Sequence, residues 1–261
     1  METIIRYNEL HLKSDPVKRQ MLSELRKNIR RLTGKNVKIV DGRVVVDDYS
    51  KQIKNDLEHI FGVASFSPVI TVEKDMKSIE KAVSKLMKGF SKKKTFKIEA
   101  VRADKKFPKT SQQIKEQIGE IFFNKGYKVK MKNPDKTITI EIRDKSYVYD
   151  TTEPGPGGMP LQTAGYFSSQ LRSNMDMLAI WMMMKRGAFP ILTGKVDKTL
   201  QKRLEKWTSC IKIKVSDKIN TNASATSEIN ISKLNKLPKE TFAPLVGLNP
   251  SQVKKMISSI K

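Results

Sequence analysis

Cysteine and histidine are almost missing from this sequence. Cys210 is the single thiol, and His11 and His59 are the only imidazoles among 261 residues. One thiol excludes an internal disulfide, and so few soft ligands leave no zinc centre of the thiolate or imidazole kind. Long apolar runs are also missing. The longest spans Met177 to Met184, under half of the about 20 residues that a membrane crossing needs, so no membrane partner is expected. Met1-Glu2-Thr3 offers neither the charged nor the apolar region of an export signal, and with the lone thiol this points to a reducing, cytoplasmic setting. Acidic residues are scarce beside basic ones: 27 against 51, a formal charge of +24. Solubility alone asks for a net charge of roughly 2 to 8. An anionic partner is therefore expected, and nucleic acid comes first where cations spread over folded segments.

What is present reads as mixed α/β. A strand over Thr3 to Tyr7 precedes a helix in which Val17, Met21, Leu25, Ile29 and Leu32 recur at helical spacing, with Asp15-Pro16 as N-cap and first-turn pair. In "VKIVDGRVVVDD" two β-branched runs flank Asp41-Gly42, the pair that a type I′ hairpin needs because both turn positions take positive φ. A helix over Lys51 to Ile60 and a strand over Ala64 to Val72 complete β-α-β-β-α-β, the order of a ferredoxin-like unit in residues 1–72. A second unit, 73–165, starts with a helix from Asp75 to Lys88 and the strand "TFKIEAVRAD". It continues with a capped helix from about Thr110 and three strands broken at Asn133-Pro134-Asp135 and Arg143-Asp144-Lys145. The Pro- and Gly-rich stretch from Thr152 to Gly165 reads as an inter-domain connection. The remaining residues, 166–261, again read as α/β, with an apolar helix from Met175 to Arg186 behind a short strand and a turn that lacks glycine.

The densest candidate site is "VRADKKFPKTSQQI", which sets Arg102, Lys105, Lys106 and Lys109 around Phe107 just before a helix beginning near Thr110. Lys and Arg neutralise phosphates, a helix start aims unpaired N–H groups at an anion, and an exposed Phe107 would stack on an unpaired base. The competing reading makes Phe107 a core plug and the cations a solvated rim. Lys128, Lys130 and Lys132 alternate so that in a strand all three share a face, either as a cationic face or as lysines guarding an edge. Asp47, Asp48 and Glu141 have no nucleophile or histidine spaced with them, so no catalytic residue is assigned. Cys210, between Trp207 and Ile211, is expected to be buried and inert, and Met182 to Met184 to be core.

"RYNELHLK" near the start, "FGVASFSPV" (61–69), "VRADKKFPKTS" (101–111), "NPD" (133–135), "VYD" and "GPGGMP" (155–160) occur in one order. In these strings the sequence resembles the tRNA 4-thiouridine synthetases, the ThiI family, over residues 1 to about 190. The resemblance implies a ferredoxin-like domain, a THUMP domain that binds the 3′ acceptor end of tRNA, and a PP-loop ATP pyrophosphatase domain. It places Arg102 to Thr110 and Asn133 on the surface facing RNA, and by position alone adds Lys130, Lys132 and Arg143. The family's PP-loop has the form S-G-G-x-D-S; here Leu171, Arg172, Ser173, Asn174, Met175 and Asp176 fall on those positions, without either glycine. A one-residue gap brings Asp176 onto the motif's aspartate. Ser227 stands where a second family motif has glycine, and no counterpart of the family's catalytic cysteine segment follows. The third domain is therefore expected to be a shortened PP-loop remnant without ATP or other cofactor, and the protein to present tRNA to a separate modification enzyme. The alternative is an active ATP-dependent tRNA sulfurtransferase in which Arg172 or Lys195 contacts phosphate. Family members pair, so a homodimer is a further expectation.

Overall fold

The computed structural model describes residues 1–7, 13–216, 221 and 223–260. His11 and most of the "RYNELHLK" string lie outside the described residues. The chain resolves into two units, one made of Met1–Arg6, Lys35–Lys51 and Ser65–Pro154, the other of Tyr7–Gly34, Gln52–Ala64 and Gly155–Lys261.

The first unit is built on one nine-stranded sheet. Its strands are β1 (Glu2–Arg6), β2 (Val37–Val40), β3 (Arg43–Val46), β4 (Ser65–Val72), β5 (Thr95–Arg102), β6 (Lys128–Val129), β7 (Lys136–Ile142), β8 (Ser146–Tyr149) and β9 (Glu153–Pro154). The order is β2-β3-β1-β4-β8-β7-β5-β6, with β9 beside β4. The first four strands thus lie in ferredoxin-like order, and β4 continues the sheet into the second half through Ile70↔Val148. The β2–β3 turn is the expected hairpin: Asp41 and Gly42 have φ of 41° and 76° and Val40 pairs with Arg43. Helices α3 (Met76–Met87) and α4 (Ser111–Asn124) cover one face of the second half. Period-two alternation sends Phe96, Ile98, Ile138, Ile140, Ile142 and Val148 to that face, where they pack with Ile79, Val83, Ile114, Ile118 and Phe122. The opposite face gathers a smaller cluster of Ile4, Val45, Val69, Tyr147 and Tyr149.

The lysine stripe read into one strand is not there. β6 holds only Lys128 and Val129, so Lys130 and Lys132 lie in the following connection to β7, where Asn133 takes a φ of 48°.

The second unit contains α1 (Asp15–Thr33), α2 (Lys51–Leu57, from Gln52 onward) and a five-stranded sheet of β10 (Tyr166–Ser169), β11 (Phe189–Leu192), β12 (Lys214–Val215), β13 (Ser224–Ala225) and β14 (Thr241–Phe242). Every pair in it is parallel, in the order β12-β11-β10-β13-β14. Helices α5 (Asn174–Lys185), α6 (Lys198–Glu205) and α7 (Pro250–Ser259) accompany it. α5 buries Met177 to Trp181 in succession, the pattern of a helix packed on nearly every side. Phe61, from the loop after α2, enters this core and stacks on Trp207 at 5.2 Å, with Trp181 edge-on at 5.4 Å.

Several local expectations are corrected. α1 is capped at Ser14 rather than Asp15, and Val17 is exposed because its position falls off the buried stripe of Met21, Leu22, Leu25 and Ile29. Cys210 is exposed rather than buried, since the turn after Trp207 carries it out at a φ of 64°. The stretch read as an inter-domain connection is packed chain from Gly155 on: Gly157 N donates to Val63 O at 2.7 Å, and a Cβ on Gly155 would lie 2.3 Å from that carbonyl oxygen. Among the described residues no helix is long and apolar enough to cross a membrane, and no cluster of metal-ligating side chains occurs.

Candidate nucleic-acid interface

β5 carries the residues read as the RNA site at its two ends. At its carboxyl end the chain leaves Arg102, forms a short loop and enters α4. Asp104 shapes that loop: its carboxylate accepts from Lys106 N at 2.9 Å and from Lys74 Nζ at 2.7 Å, and these bonds hold it below the usual carboxylate range. Arg102 donates from Nη1 to the Phe107 carbonyl at 3.0 Å, so its guanidinium braces the loop from inside. Thr110 caps α4 in a reciprocal box with Gln113. The N–H groups of Ser111 and Gln112, at the helix start, have no intrahelical acceptor. Lys105, Lys106 and Thr110 are exposed and Lys109 half-buried, and none of the three lysines is paired with a carboxylate among the described residues. Cations without a carboxylate partner beside a helix N-terminus have the charge and donor geometry that suit an anion.

Phe107 does not join them. It is 6% exposed and packed in the core under α3 and α4, so its ring cannot stack on a base. The core-plug reading of this residue holds, because a phenyl ring on a short loop buries more area beneath two helices than a base would cover.

Lys130, Lys132 and Asn133 stand at the other end of β5. Val129 pairs with Phe96, Lys130 N donates to Phe96 O, and the Asn133–Asp135 turn returns to Thr95, whose N–H and hydroxyl both bond the Asp135 carboxylate at 2.7 Å. Six rises of about 3.3 Å each, from Phe96 beside Lys130 to Arg102, put this end about 20 Å from the start of the lysine loop. With Lys94 near Asp135, it forms a second basic patch separate from the first.

Arg143 lies near the first patch, since Ala103 N and Asp104 N both donate to the Ile142 carbonyl. Its side chain, however, is buried on the sheet face away from α3 and α4. There Glu141 accepts from Arg143 Nε at 2.9 Å, from Arg6 Nη2 at 3.3 Å and from the Tyr149 hydroxyl at 2.8 Å, with Arg43 Nε at 3.2 Å. Burial pushes Glu141 up, but Arg43, Tyr149, Arg143 and Arg6 outweigh it and hold the carboxyl below its ordinary value. Arg6 and Arg43 were invisible as partners of Glu141 in the sequence, because only the joining of the two half-sheets brings them together.

In the second unit, strand order reverses between β10 and β13, where open parallel sheets form a crevice at their carboxyl ends. The loop Gln170–Ser173 lies there. Arg172 N and Ser173 N donate to one oxygen of Asp176 at 3.0 and 3.1 Å, and Ser227 Oγ donates to the other at 2.6 Å. The N–H groups that would cradle a phosphate are thus satisfied by the chain's own carboxylate. Leu171 is fully buried and receives Asp197 N on its carbonyl. The Arg172 guanidinium reaches to 3.8 Å from a Cβ built on Gly194, beside Lys195.

This architecture is that of a THUMP-domain protein: the THUMP domain model matches residues 73–149, and the model of the ThiI ferredoxin-like domain matches residues 2–67. Over these two domains the chain belongs to the ThiI family. It is 32% identical over 193 residues to a probable tRNA sulfurtransferase of Moorella thermoacetica and 35% identical over 187 residues to one of Mycoplasmopsis synoviae, each match covering 70% of this chain and 49% of the relative. The chain spans about half the length of the curated relatives it matches. Among solved structures, PH1313 from Pyrococcus horikoshii superposes with a TM-score of 0.83 at 27% identity over 99% of both chains. A 4-thiouridine synthetase solved with RNA and bound ATP gives 0.80 at 20% identity over 99% of this chain and 84% of its own, a likeness of fold.

Proposed function

We propose that this protein binds tRNA at its 3′ acceptor end and presents it for modification, 4-thiouridine formation being the reaction its family points to. The observation that carries this reading is the set of unpaired lysines, Lys105, Lys106 and Lys109, at the open start of α4 within a THUMP domain. The second patch, Lys130, Lys132 and Asn133, lies about 20 Å away along β5 and contacts a different stretch of the same RNA. Domains at 1–72, 73–165 and 166–261 remain the functional division, the last being the PP-loop remnant.

The chemistry is supplied by a separate partner enzyme. Asp176 supports this: its carboxylate fills the position of an anion at Arg172 N and Ser173 N, and its charge repels a second one. An active sulfurtransferase is the second reading, favoured by the crevice at the β10–β13 reversal with Arg172 and Lys195 beside it. Calorimetry with ATP and magnesium separates the two. Binding in the micromolar to low millimolar range refutes the remnant, and no detectable binding refutes the enzyme. Competition between tRNA and a generic RNA duplex tests the first claim, since purely electrostatic binding follows phosphate number alone.

A further inference from the structure

On the sheet face away from α3 and α4, a mostly buried cluster sets three arginines around one carboxylate. Arg6 from β1, Arg43 from β3 and Arg143 after β7 converge on Glu141, whose side chain is 2% exposed. Three guanidinium groups against one carboxylate leave a surplus of two charges, and no other acid pairs with these arginines among the described residues. Both oxygens of Glu141 are already engaged. Other donors go to main chain or hydroxyl: Arg143 Nη1 to Asp41 O, Arg43 Nη1 to Gly42 O, and Arg6 Nη1 to Ser67 Oγ. That leaves Arg6 Nε, Arg43 Nη2 and Arg143 Nη2 with no acceptor among the described residues, and Arg43 Nε, buried, has none of hydrogen-bond geometry. Surplus charge and unused planar donors, fixed in place by a carboxylate behind them, suit a tetrahedral oxyanion.

We infer that Arg6, Arg43 and Arg143 form a phosphate-binding site, occupied by a backbone phosphate of the same RNA that docks on the α4 patch. This rests on the tRNA-binding reading. Continuity with that patch identifies the phosphate source. Ile142, one residue before Arg143, accepts from Ala103 and Asp104 at the start of the lysine loop, and Lys74 bonds Asp104 while feeling the charge of Asp41, whose carbonyl Arg143 holds. The cations of the loop and the arginines therefore flank one end of the sheet. Because Arg6 and Arg43 belong to the ferredoxin-like half, the RNA footprint reaches beyond the THUMP domain.

The test is the salt dependence of tRNA binding to the full chain and to its Arg43→Gln and Arg43→Lys variants, with each variant's Tm. One lost phosphate contact makes the log-log slope shallower by about 0.9, which is about eightfold in affinity near 0.1 M salt. Arg43→Gln is expected to show this, and Arg43→Lys to retain the slope. A folded Arg43→Gln variant with the wild-type slope overturns the site, leaving the arginines as a joint between half-sheets; a structural joint shifts affinity equally at every salt concentration. Should Arg43→Gln fail to fold, phenylglyoxal modification of the wild-type chain read by peptide mass decides: tRNA shields Arg43 and Arg6 if the site is real and leaves them reactive if it is not. Wild-type protein that binds no tRNA at all refutes the functional reading instead, so the two failures are distinct.

Discussion

Replacing Lys105 and Lys106 together by alanine removes two exposed, unpaired cations from the mouth of α4 while leaving its Thr110–Gln113 cap intact. If each neutralises one phosphate of a duplex-like acceptor stem, the slope of log K against log salt becomes shallower by about 1.8. At about 0.1 M salt this is a loss of about 60-fold in affinity, and at about 0.3 M about ninefold. Stability should hardly move, because exposed side chains without partners contribute within about 0.5 kcal/mol. Filter binding of a tRNA transcript at four or five salt concentrations, beside a thermal melt of each protein, reads both quantities. An unchanged slope with an unchanged melt would refute the placement of the phosphate site.

Three further outcomes follow from the same geometry. Phe107→Ala should do the reverse of the lysine pair, costing about 3–5 kcal/mol in denaturant unfolding as a core cavity opens, with the salt slope kept. Burial and the Glu141 charge push the Tyr149 phenol up to about 12, so the folded chain keeps a proton that the unfolded chain loses near 10. That contribution is fully present below pH 10 and lost as the pH rises toward 12, up to about 2.7 kcal/mol, and Tyr149→Phe should flatten that part of the pH–stability curve. Asp176→Ala leaves Arg172 N, Ser173 N and Ser227 Oγ without their acceptor and, because the two N–H groups are exposed and re-hydrated, should cost only about 1 kcal/mol; a neutral effect would mean the loop is not held by that carboxylate.

Local chemistry was legible where it is local. Asp41-Gly42 announced its hairpin, and Thr110 the start of a capped helix. Lys105, Lys106 and Thr110 are where the basic string placed them, on the surface at a helix start. Long-range facts were not legible. Phe107 looks the same in sequence whether it faces solvent or core, and only the packing of α3 and α4 over β5 decides. Lys130 and Asn133 seemed neighbours of Arg102 because strand length, not sequence distance, sets their separation. Glu141 was read as an isolated carboxylate, since its partners Arg6 and Arg43 come from more than ninety residues away. In the loop 170–173 the missing glycines were plain to read, but the Asp176 carboxylate that accepts from Arg172 N and Ser173 N was not.

The most direct test of the central claim is binding of one tRNA with an intact 3′-CCA end and of the same tRNA lacking it, each across a range of salt. The account predicts clearly tighter binding of the intact tRNA with nearly the same salt slope, because the end adds specific contacts and few new phosphates. Equal affinity for both would contradict it, and would reduce the +24 charge to a general surface for polyanions.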